Sequence, residues 1–377
     1  MPTDDQRLRM ESLALQPRLT IRGVRTVAVE VPMTFPLGTS ATTIRSAPLL
    51  LIDLDTEEGI TGRTYLFCYR PSGARAIAGL LDDAVALVKG ERAAPVDVAA
   101  RLSRRFALIG VTGVVRMALS GLDCVLWDAL AVAARLPLVS MLGGTPKPVP
   151  AYNSSGLGLM EPEAAAGEAV KLLEGGFSAV KLRLGYQTLE ADLATLRAVR
   201  RKLPDAAAIM VDYNQALSRA EAILRGRALE TEGAYWLEEP IRHDDLAGNA
   251  ALARTLALPV QIGENFDGAK DMADALAAKA CDYVMPDLAR IGGVTGWMQA
   301  AGLAAAHGIE MSSHLFPEVS SHLLAATPTG HWLEYLDWAN AIVEEPLRIE
   351  GGNAVISDRP GCGLKWDDKA VQKHRIG

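Results

Sequence analysis

Hydrophobic and polar positions follow two different periods along this chain. From residue 19 to about residue 70, short apolar or alternating runs predict strands, and from residue 71 to about residue 142 apolar side chains recur every three or four positions, which predicts helices. From residue 149 onwards, short apolar runs alternate with segments long enough for a helix. Strands followed by helices are typical of an α+β domain, whereas strands that alternate with helices indicate βαβ units in a parallel sheet.

The alternating part indicates a closed barrel. About eight strand–helix units fit between residues 146 and 343, and this number favours a barrel over an open doubly wound sheet. No glycine-rich nucleotide-binding loop follows the first of these strands, which also counts against the open sheet. The turn-forming residues 143–146 mark the boundary with an α+β domain over residues 19–145. Residues 344–377 hold too little apolar material to fold alone, so we expect them to pack against the body of the protein.

A long segment separates the first two predicted strands. It runs from Pro32 to Ala47 and is rich in serine, threonine, proline and glycine, which predicts a loop. Long loops inside compact domains are usually functional lids or disordered segments. The apolar side chains of Phe35, Leu37 and Ile44 favour a lid.

Composition and charge narrow the class of protein. The net charge of −7 and the pI near 5.5 argue against nucleic acid or an anionic membrane as a partner. No uninterrupted apolar run reaches the roughly 20 residues that a spanning helix needs, and residues 1–18, which lack the apolar core of a secretory signal, are interpreted as a disordered leader. The four cysteines match no disulfide or zinc spacing, so we expect a reduced, cytoplasmic protein. With nucleic acid and membrane disfavoured by the charge, we expect it to act on a small molecule.

Three carboxylates stand at the ends of successive predicted strands. Asp212, Glu238 and Glu264 each close a short apolar run, at equal intervals of 26 residues. The carboxyl ends of barrel strands meet on one face, where active sites lie, so the three side chains should converge. A ligand set made only of oxygen selects Mg²⁺, or Mn²⁺, over zinc. Asn214 points to the same side and could donate a hydrogen bond to a substrate.

Further ionisable residues also lie in or at the ends of predicted barrel strands. Asp287 and His314 end successive strands, and a carboxylate bonded to one imidazole nitrogen would leave the other nitrogen free to accept a proton. Lys181 and Arg183 share one face of an earlier strand, where two cations suit a substrate carboxylate. Glu334 lies in the last strand.

A set of short motifs carries a family resemblance. In chain order they are Lys-x-Arg, Val-Asp-Tyr-Asn, Leu-Glu-Glu-Pro, Gly-Glu-Asn, Met-Pro-Asp and Ser-Ser-His-Leu-Phe. Together they resemble the enolase superfamily and, more narrowly, its mandelate racemase subgroup, over about residues 20–366. The resemblance implies a modified (β/α)₇β TIM barrel at residues 146–343 beneath an α+β capping domain, with residues 344–377 packed back on that domain. It also implies a homo-oligomer.

The resemblance assigns a role to each candidate residue. Asp212, Glu238 and Glu264 would bind Mg²⁺, the Asp287–His314 pair would be the base, Glu334 would hydrogen-bond the substrate carboxylate and Lys181 would neutralise it. The implied reaction removes the α-proton of a 2-hydroxy carboxylate through an enediolate, which needs strong charge stabilisation. An apolar, phenyl-sized cavity would be lined by Leu37, Ala41, Ile44, Phe67, Tyr69, Leu315 and Leu336.

One residue departs from the family pattern. Racemases of the subgroup have a second lysine base where this chain has Arg183, and a guanidinium stays protonated in proteins. Three hypotheses follow: a mandelate racemase-like isomerase, a dehydratase of acid sugars that uses His314 as its single base, and a non-catalytic protein that binds Mg²⁺ and a carboxylate.

Overall fold

The first three strands form an antiparallel sheet in the computed structural model, which describes residues 18–38 and 43–376. The strands are β1 (Ile21–Gly38), β2 (Thr43–Thr56) and β3 (Thr61–Phe67), and β2 lies in the centre. A continuous run of β2, residues 47–52, is buried. A central strand that is covered on both faces reads as an unbroken apolar run, which explains the sequence pattern.

The long loop predicted from Pro32 to Ala47 is wrong for the residues that the structure describes. The pairing of β1 with β2 continues to Leu37 opposite Ile44 and Gly38 opposite Thr43, after an irregularity that begins at Pro32. Proline cannot donate to a ladder, which explains why the register breaks there and then resumes. The segment is therefore a two-stranded arm (residues 32–38 and 43–47). Residues 1–17 of the predicted leader, and Ala41, lie outside the described residues.

Helices cover the three-stranded sheet. They are α1 (Pro71–Ala86), α2 (Pro95–Arg105), α3 (Gly113–Ala134) and the short α4 (Leu138–Met141). By length and composition α3 could cross a membrane, but 67% of its most apolar stretch is buried inside the protein. Two buried acids on α3 bind other parts of the chain: Asp123 accepts from the hydroxyl and the amide of Thr295, and Asp128 accepts from the amides of Arg63 and Cys362. Helix α3 is thus the core helix that joins the capping domain to the rest.

The second domain is a parallel barrel. Its strands are β4 (Val149–Asn153), β5 (Ala179–Arg183), β6 (Ala208–Asp212), β7 (Leu237–Glu238), β8 (Val260–Ile262), β9 (Tyr283–Val284), β10 (Glu310–Met311) and β11 (Leu333–Tyr335). The helices between them are α5 (Pro162–Leu173), α6 (Leu189–Lys202), α7 (Arg219–Glu230), α8 (Leu246–Thr255), α9 (Ala269–Ala277), α10 (Leu288–Ile291), α11 (Gly293–His307) and α12 (Pro317–Ala326).

Strand pairing closes the barrel. Neighbouring strands pair in chain order from β4 to β10, and β11 returns to pair with β4. The remaining gap is bridged by backbone hydrogen bonds, such as that from Ser313 N to Trp332 O at 3.0 Å. Seven helical crossovers link eight parallel strands, which confirms the predicted (β/α)₇β barrel with an α+β capping domain.

Several barrel strands end earlier than the apolar pattern predicts. The predicted strands reach residues 264, 287 and 314, whereas β8 ends at Ile262, β9 at Val284 and β10 at Met311. The ionisable residues at those three positions therefore lie just beyond the ladder, in the turns at the carboxyl face. Their side chains are placed by turn geometry as well as by strand register.

The C-terminal segment contacts both domains. A hairpin of β12 (Arg348–Glu350) and β13 (Asn353–Val355) adds antiparallel to β4. Farther on, Trp366 Nε1 donates to Asp53 Oδ1 at 2.8 Å, and Ile376 N donates to Ala28 O, next to the last helix, α13 (Asp368–His374).

Close packing of β3 on α3 predicts a steric effect on stability. A Cβ added at Gly62 would overlap Val125 O and lie 2.8 Å from Ala129 N. We expect Gly62→Ala to lower the free energy of unfolding by about 3 kcal/mol, because backbone must move. Urea unfolding measures this effect. Gly79→Ala is the control: a Cβ there meets nothing within 4 Å, and alanine within α1 should raise stability slightly. Equal stability of the two variants would contradict the packing argument.

Candidate active site

The carboxyl ends of the barrel strands and the arm enclose a cavity of about 130 Å³. It is lined by Leu37, Ile44, Phe67, Tyr69, Lys181, Arg183, Asp212, Asn214, Glu264, His314, Leu315, Glu334, Leu336 and Trp338. Of the other predicted site residues, Glu238 contacts Lys181 and Asp287 contacts His314, while Ala41 lies outside the described residues. The structure thus brings together every predicted site residue that it describes.

Lys181 is the charged centre of this site. Its Nζ lies 2.8 Å from Glu238 Oε1, 2.7 Å from Glu334 Oε1 and 3.3 Å from Asp212 Oδ2, and all four side chains are buried. Burial by itself lowers the pKa of Lys181, but the three carboxylates outweigh it and raise that pKa well above its ordinary value. Lys181 is therefore an ammonium ion at neutral pH, held by three carboxyl groups.

The carboxylates of the site carry more negative charge than Lys181 can balance. Burial opposes ionisation of Glu334, yet Lys181 and His314 lower its pKa to about 2. Burial and the neighbouring Asp212, Glu334 and Glu264 raise the pKa of Glu238 above the usual range, against the effect of Lys181. An added cation would relieve this excess of negative charge.

The three predicted ligands fit a hard divalent cation by their chemistry. Asp212 pairs in register with Glu238, and Glu264 follows the adjacent strand β8, so the donors stand on consecutive strands and are all oxygen. Among the described residues, however, no three His, Cys, Asp or Glu side chains form a ready-made metal cluster. The reason is visible in the contacts: Asp212 and Glu238 turn to Lys181, and Glu264 turns to His314. The donor set suits Mg²⁺ by its chemistry, and Lys181 and His314 are the partners that a cation would replace.

His314 and Asp287 form the predicted dyad. A backbone bridge joins the two residues, and His314 Nδ1 lies 2.7 Å from Asp287 Oδ2. The other oxygen of Asp287 accepts from the amides of Ala289 and Arg290 at 2.8 and 3.0 Å, so the carboxylate is fixed at the start of α10. The free Nε2 of His314 faces Glu264 Oε2 at 3.3 Å. The imidazole is thus held in one orientation, with Nε2 on the cavity side.

Charges around His314 favour its protonated form. Burial lowers the pKa of the imidazole, but Glu264, Glu334 and the hydrogen bond with Asp287 together raise it to about 9. Without a bound cation, the ring is therefore an imidazolium at neutral pH.

Arg183 has a different environment from Lys181, although both lie on β5. Its Nη1 donates to the carbonyl oxygens of Ser154 and Gly156 at 3.2 and 2.7 Å, and Nη2 donates to Ser154 Oγ at 3.1 Å. Within residues 18–38 and 43–376, no carboxylate pairs with it, and its buried Nε has no partner. A guanidinium fixed in this way can hold a substrate oxygen but cannot act as a base.

Asn214 hydrogen-bonds Asp212, one of the three predicted metal ligands. Its backbone N and Nδ2 donate to the two oxygens of Asp212, at 2.7 and 3.0 Å. The donor that the sequence suggested for a substrate is therefore used within the protein. Its φ of +44° gives the tight turn that makes both bonds.

Sequence reasoning missed several residues of the site. Glu239 is fully buried, and Asn265 Nδ2 donates to both of its oxygens at 3.0 Å. Strand alternation would place Glu239 on the face opposite to Glu238, but its φ of +36° breaks that alternation. The two adjacent acids in Leu-Glu-Glu-Pro are the sequence feature that could have indicated a role for Glu239. Trp338, which packs on Phe67 with ring centroids 4.5 Å apart, completes the apolar wall.

Comparison with known proteins agrees with this geometry. Residues 21–143 match the family described as mandelate racemase / muconate lactonizing enzyme, N-terminal domain, and residues 164–370, more than half of the chain, match the enolase C-terminal domain-like family. This chain belongs to the enolase superfamily. The resemblance to the mandelate racemase subgroup is confirmed as well.

Individual relatives within the superfamily differ in chemistry. The L-talarate/galactarate dehydratase of Salmonella typhimurium is 33% identical over 85% of this chain and 81% of its own length. A crystal structure of an enolase from Bradyrhizobium, complexed with magnesium and mandelic acid, is 40% identical, with a TM-score of 0.91 over 96% of this chain and 99% of that one.

A third relative is a dehydratase of known structure. L-talarate dehydratase from Polaromonas, complexed with Mg and L-glucarate, is 29% identical, with a TM-score of 0.88 over 95% of this chain and 98% of that one. The relatives of this superfamily chain include dehydratases and cycloisomerases, and solved neighbours hold Mg²⁺ and small carboxylates. This protein is an enzyme of that superfamily.

The environment of His314 predicts a pH effect on stability. Its pKa of about 9 in the folded protein exceeds the unfolded value of about 6.5. The stabilisation is complete below pH 6.5 and is lost as pH rises through 9, by at most about 3 kcal/mol. We expect urea unfolding in EDTA to show this fall, and a smaller fall in Asp287→Asn.

His307 provides the control for this experiment. His307→Asn changes an exposed histidine at the end of α11 and should leave the pH dependence as in the parent protein. An undiminished fall in His314→Gln would show that another group causes it.

Proposed function

We propose that this enzyme removes the α-proton of a 2-hydroxy carboxylate, with His314 as the base and Mg²⁺ held by Asp212, Glu238 and Glu264. The observation that carries the proposal is the His314–Asp287 pair, at 2.7 Å, whose free nitrogen faces the carboxylate cluster across the cavity. General bases need this combination of an oriented ring and an open nitrogen.

Each polar residue has a task in this reaction. The cation, when bound, stabilises the negative charge that develops on the substrate carboxylate as the proton leaves. Lys181 adds a fixed positive charge within reach of the same group, and Asp287 stabilises the imidazolium that forms at His314. Glu334 is ionised while it binds Lys181. It can donate a hydrogen bond to a substrate carboxylate only when protonated, which requires that the substrate replace it as the partner of Lys181.

Metal binding would also prepare His314 to act as a base. The charge of Glu264 is the largest of the effects that raise the pKa of His314. A cation on Glu264 would cancel much of that charge and allow burial to lower the pKa towards neutrality. The imidazole would then accept a proton at physiological pH.

Hydrogen exchange tests the proposed step directly. In D₂O with Mg²⁺, we expect the α-proton of one enantiomer of mandelate, or of an acid sugar, to exchange with solvent. His314→Asn should slow this exchange by at least 10²-fold, the usual range for loss of a general base. Proton NMR measures the rate, and removal of Mg²⁺ with EDTA should abolish it. Unchanged exchange in His314→Asn would disprove the role of the base.

A second candidate function is the dehydration of an acid sugar. It is favoured by Arg183, which cannot protonate the opposite face of the α-carbon, whereas loss of a β-hydroxyl needs only one base. The relative from Salmonella typhimurium supports it by name. The apolar wall of Leu37, Ile44 and Leu336, together with the mandelate-bound relative, supports racemisation of a substrate with an apolar substituent.

The variant Arg183→Lys separates these functions. Lysine has one nitrogen in place of the planar fork whose Nη1 binds Ser154 O and Gly156 O and whose Nη2 binds Ser154 Oγ, so we expect dehydration to fall about tenfold or more if Arg183 holds the substrate. A gain of inversion of mandelate would instead identify Arg183 as a replaced base. A 2-keto acid assay and chiral chromatography measure the two activities.

Arg225 offers a matched control for this substitution. It is a buried arginine of α7 that pairs with Asp192 at 2.6 Å, away from the cavity. Arg225→Lys therefore reports the general cost of replacing a buried arginine.

If neither activity nor α-proton exchange is found with any substrate while Mg²⁺ binds, the protein is a non-catalytic binder. The homo-oligomer and the cytoplasmic location stay predictions.

A further inference from the structure

Arg290 joins the capping domain to the barrel, and the proposed reaction does not use it. Its Nη2 donates to Tyr69 Oη at 2.8 Å, and its guanidinium carbon lies 5.2 Å from the centre of the Tyr69 ring. Its Nη1 donates to Asn265 Oδ1 at 2.6 Å. One planar fork therefore contacts a cap residue and the turn after β8 at once.

The contact with Arg290 decides which way the Asn265 amide points. Because Oδ1 accepts from Arg290, the amino group faces the opposite way, towards Glu239 at 3.0 Å and Glu264 Oε1 at 3.3 Å. A flipped amide would turn its oxygen towards two carboxylates. Among the described residues, Asn265 is the one side chain that donates to Glu239, which is fully buried.

Tyr69 also needs an outside contact to hold its conformation. Its φ is +59°, in the left-handed region that residues other than glycine adopt only where their surroundings impose it. The Phe67 ring, 4.5 Å away between centroids, and Arg290 are its contacts in the cavity wall. Arg290 thus stabilises the cavity wall and the carboxylate cluster together.

We propose that Arg290 is a positioning residue that connects Tyr69 of the capping domain, through Asn265, to the proposed metal ligand Glu264 and to Glu239, which follows the ligand Glu238 in the chain. The proposal rests on the Mg²⁺ site of the proposed function. Partners that orient metal ligands without touching the metal typically change affinity by 10–100-fold. The affinity for Mg²⁺ therefore depends on a tyrosine hydroxyl of the other domain.

Calorimetric titration of the full-length protein with Mg²⁺ alone tests this connection. We expect Arg290→Lys to weaken Mg²⁺ binding about tenfold, because the single nitrogen of a lysine does not reproduce the planar fork whose two nitrogens bind Tyr69 and Asn265 separately. Asn265→Leu should weaken it by a similar factor. Tyr69→Phe, which removes only the hydroxyl, should weaken it by about two- to fivefold as Arg290 loses one contact.

Double variants show whether the three residues act in series. Arg290→Lys should have no further effect in the Asn265→Leu background, and Tyr69→Phe none in the Arg290→Lys background. Additive effects in either pair, or a Tyr69→Phe variant that binds Mg²⁺ like the parent, would overturn the proposal.

Arg116 gives a matched control. It also joins the capping domain to the turn after β8, through Asp267 at 2.9 Å, but it makes no contact with Asn265. Arg116→Lys should keep the parent affinity, and an equal loss there would overturn the proposal by indicating general loosening. Thermal unfolding checks each variant, and Arg290→Gln replaces Arg290→Lys if that variant does not fold. A parent protein that does not bind Mg²⁺ would refute the proposed function instead.

Discussion

The buried ammonium of Lys181 is the interaction on which the site depends. Three carboxylates from different strands approach one charge in the buried interior, where each unpaired anion would be costly. Such an arrangement is stable only if the backbone holds the strand ends in place against repulsion. The closed barrel does so, because its strands pair in chain order and backbone hydrogen bonds bridge the gap between β10 and β11. The same framework would hold the carboxylates in place for the proposed Mg²⁺.

Much of this arrangement could be predicted from the chain. A regular alternation of strand and helix places residues at strand ends without any knowledge of the fold, and β6 ends at Asp212 as that alternation predicts. Asp212 and Glu238 follow from that period, as does the pairing of Asp287 with His314. Asp212 and Glu238 were predictable because strand register decides which face they occupy, whereas Asp287 and His314 lie just beyond the ladder, where turn geometry also places them.

Other features depend on backbone geometry that the spacing of apolar residues along the chain does not reveal. Prolines and small polar residues predict a loop where the arm forms. Backbone pairing and tertiary contact with the barrel outweigh the preference of these residues for loop conformations. Glu239 was missed because a positive φ reverses its side chain. Arg290 and Tyr69 are 221 residues apart in sequence, so only the folded chain reveals their contact.

One short loop after β4 serves two parts of the cavity. Gly158 packs against Gly38 of the arm, and Leu159 N donates to Gly38 O at 3.3 Å, while the preceding carbonyls of Ser154 and Gly156 hold Arg183. The apolar wall of the cavity and the guanidinium of Arg183 therefore share one support. Under the proposed function, substrate range and reaction outcome are then coupled: an arm of another length would also displace the loop that holds Arg183, so redesign of either must include this loop.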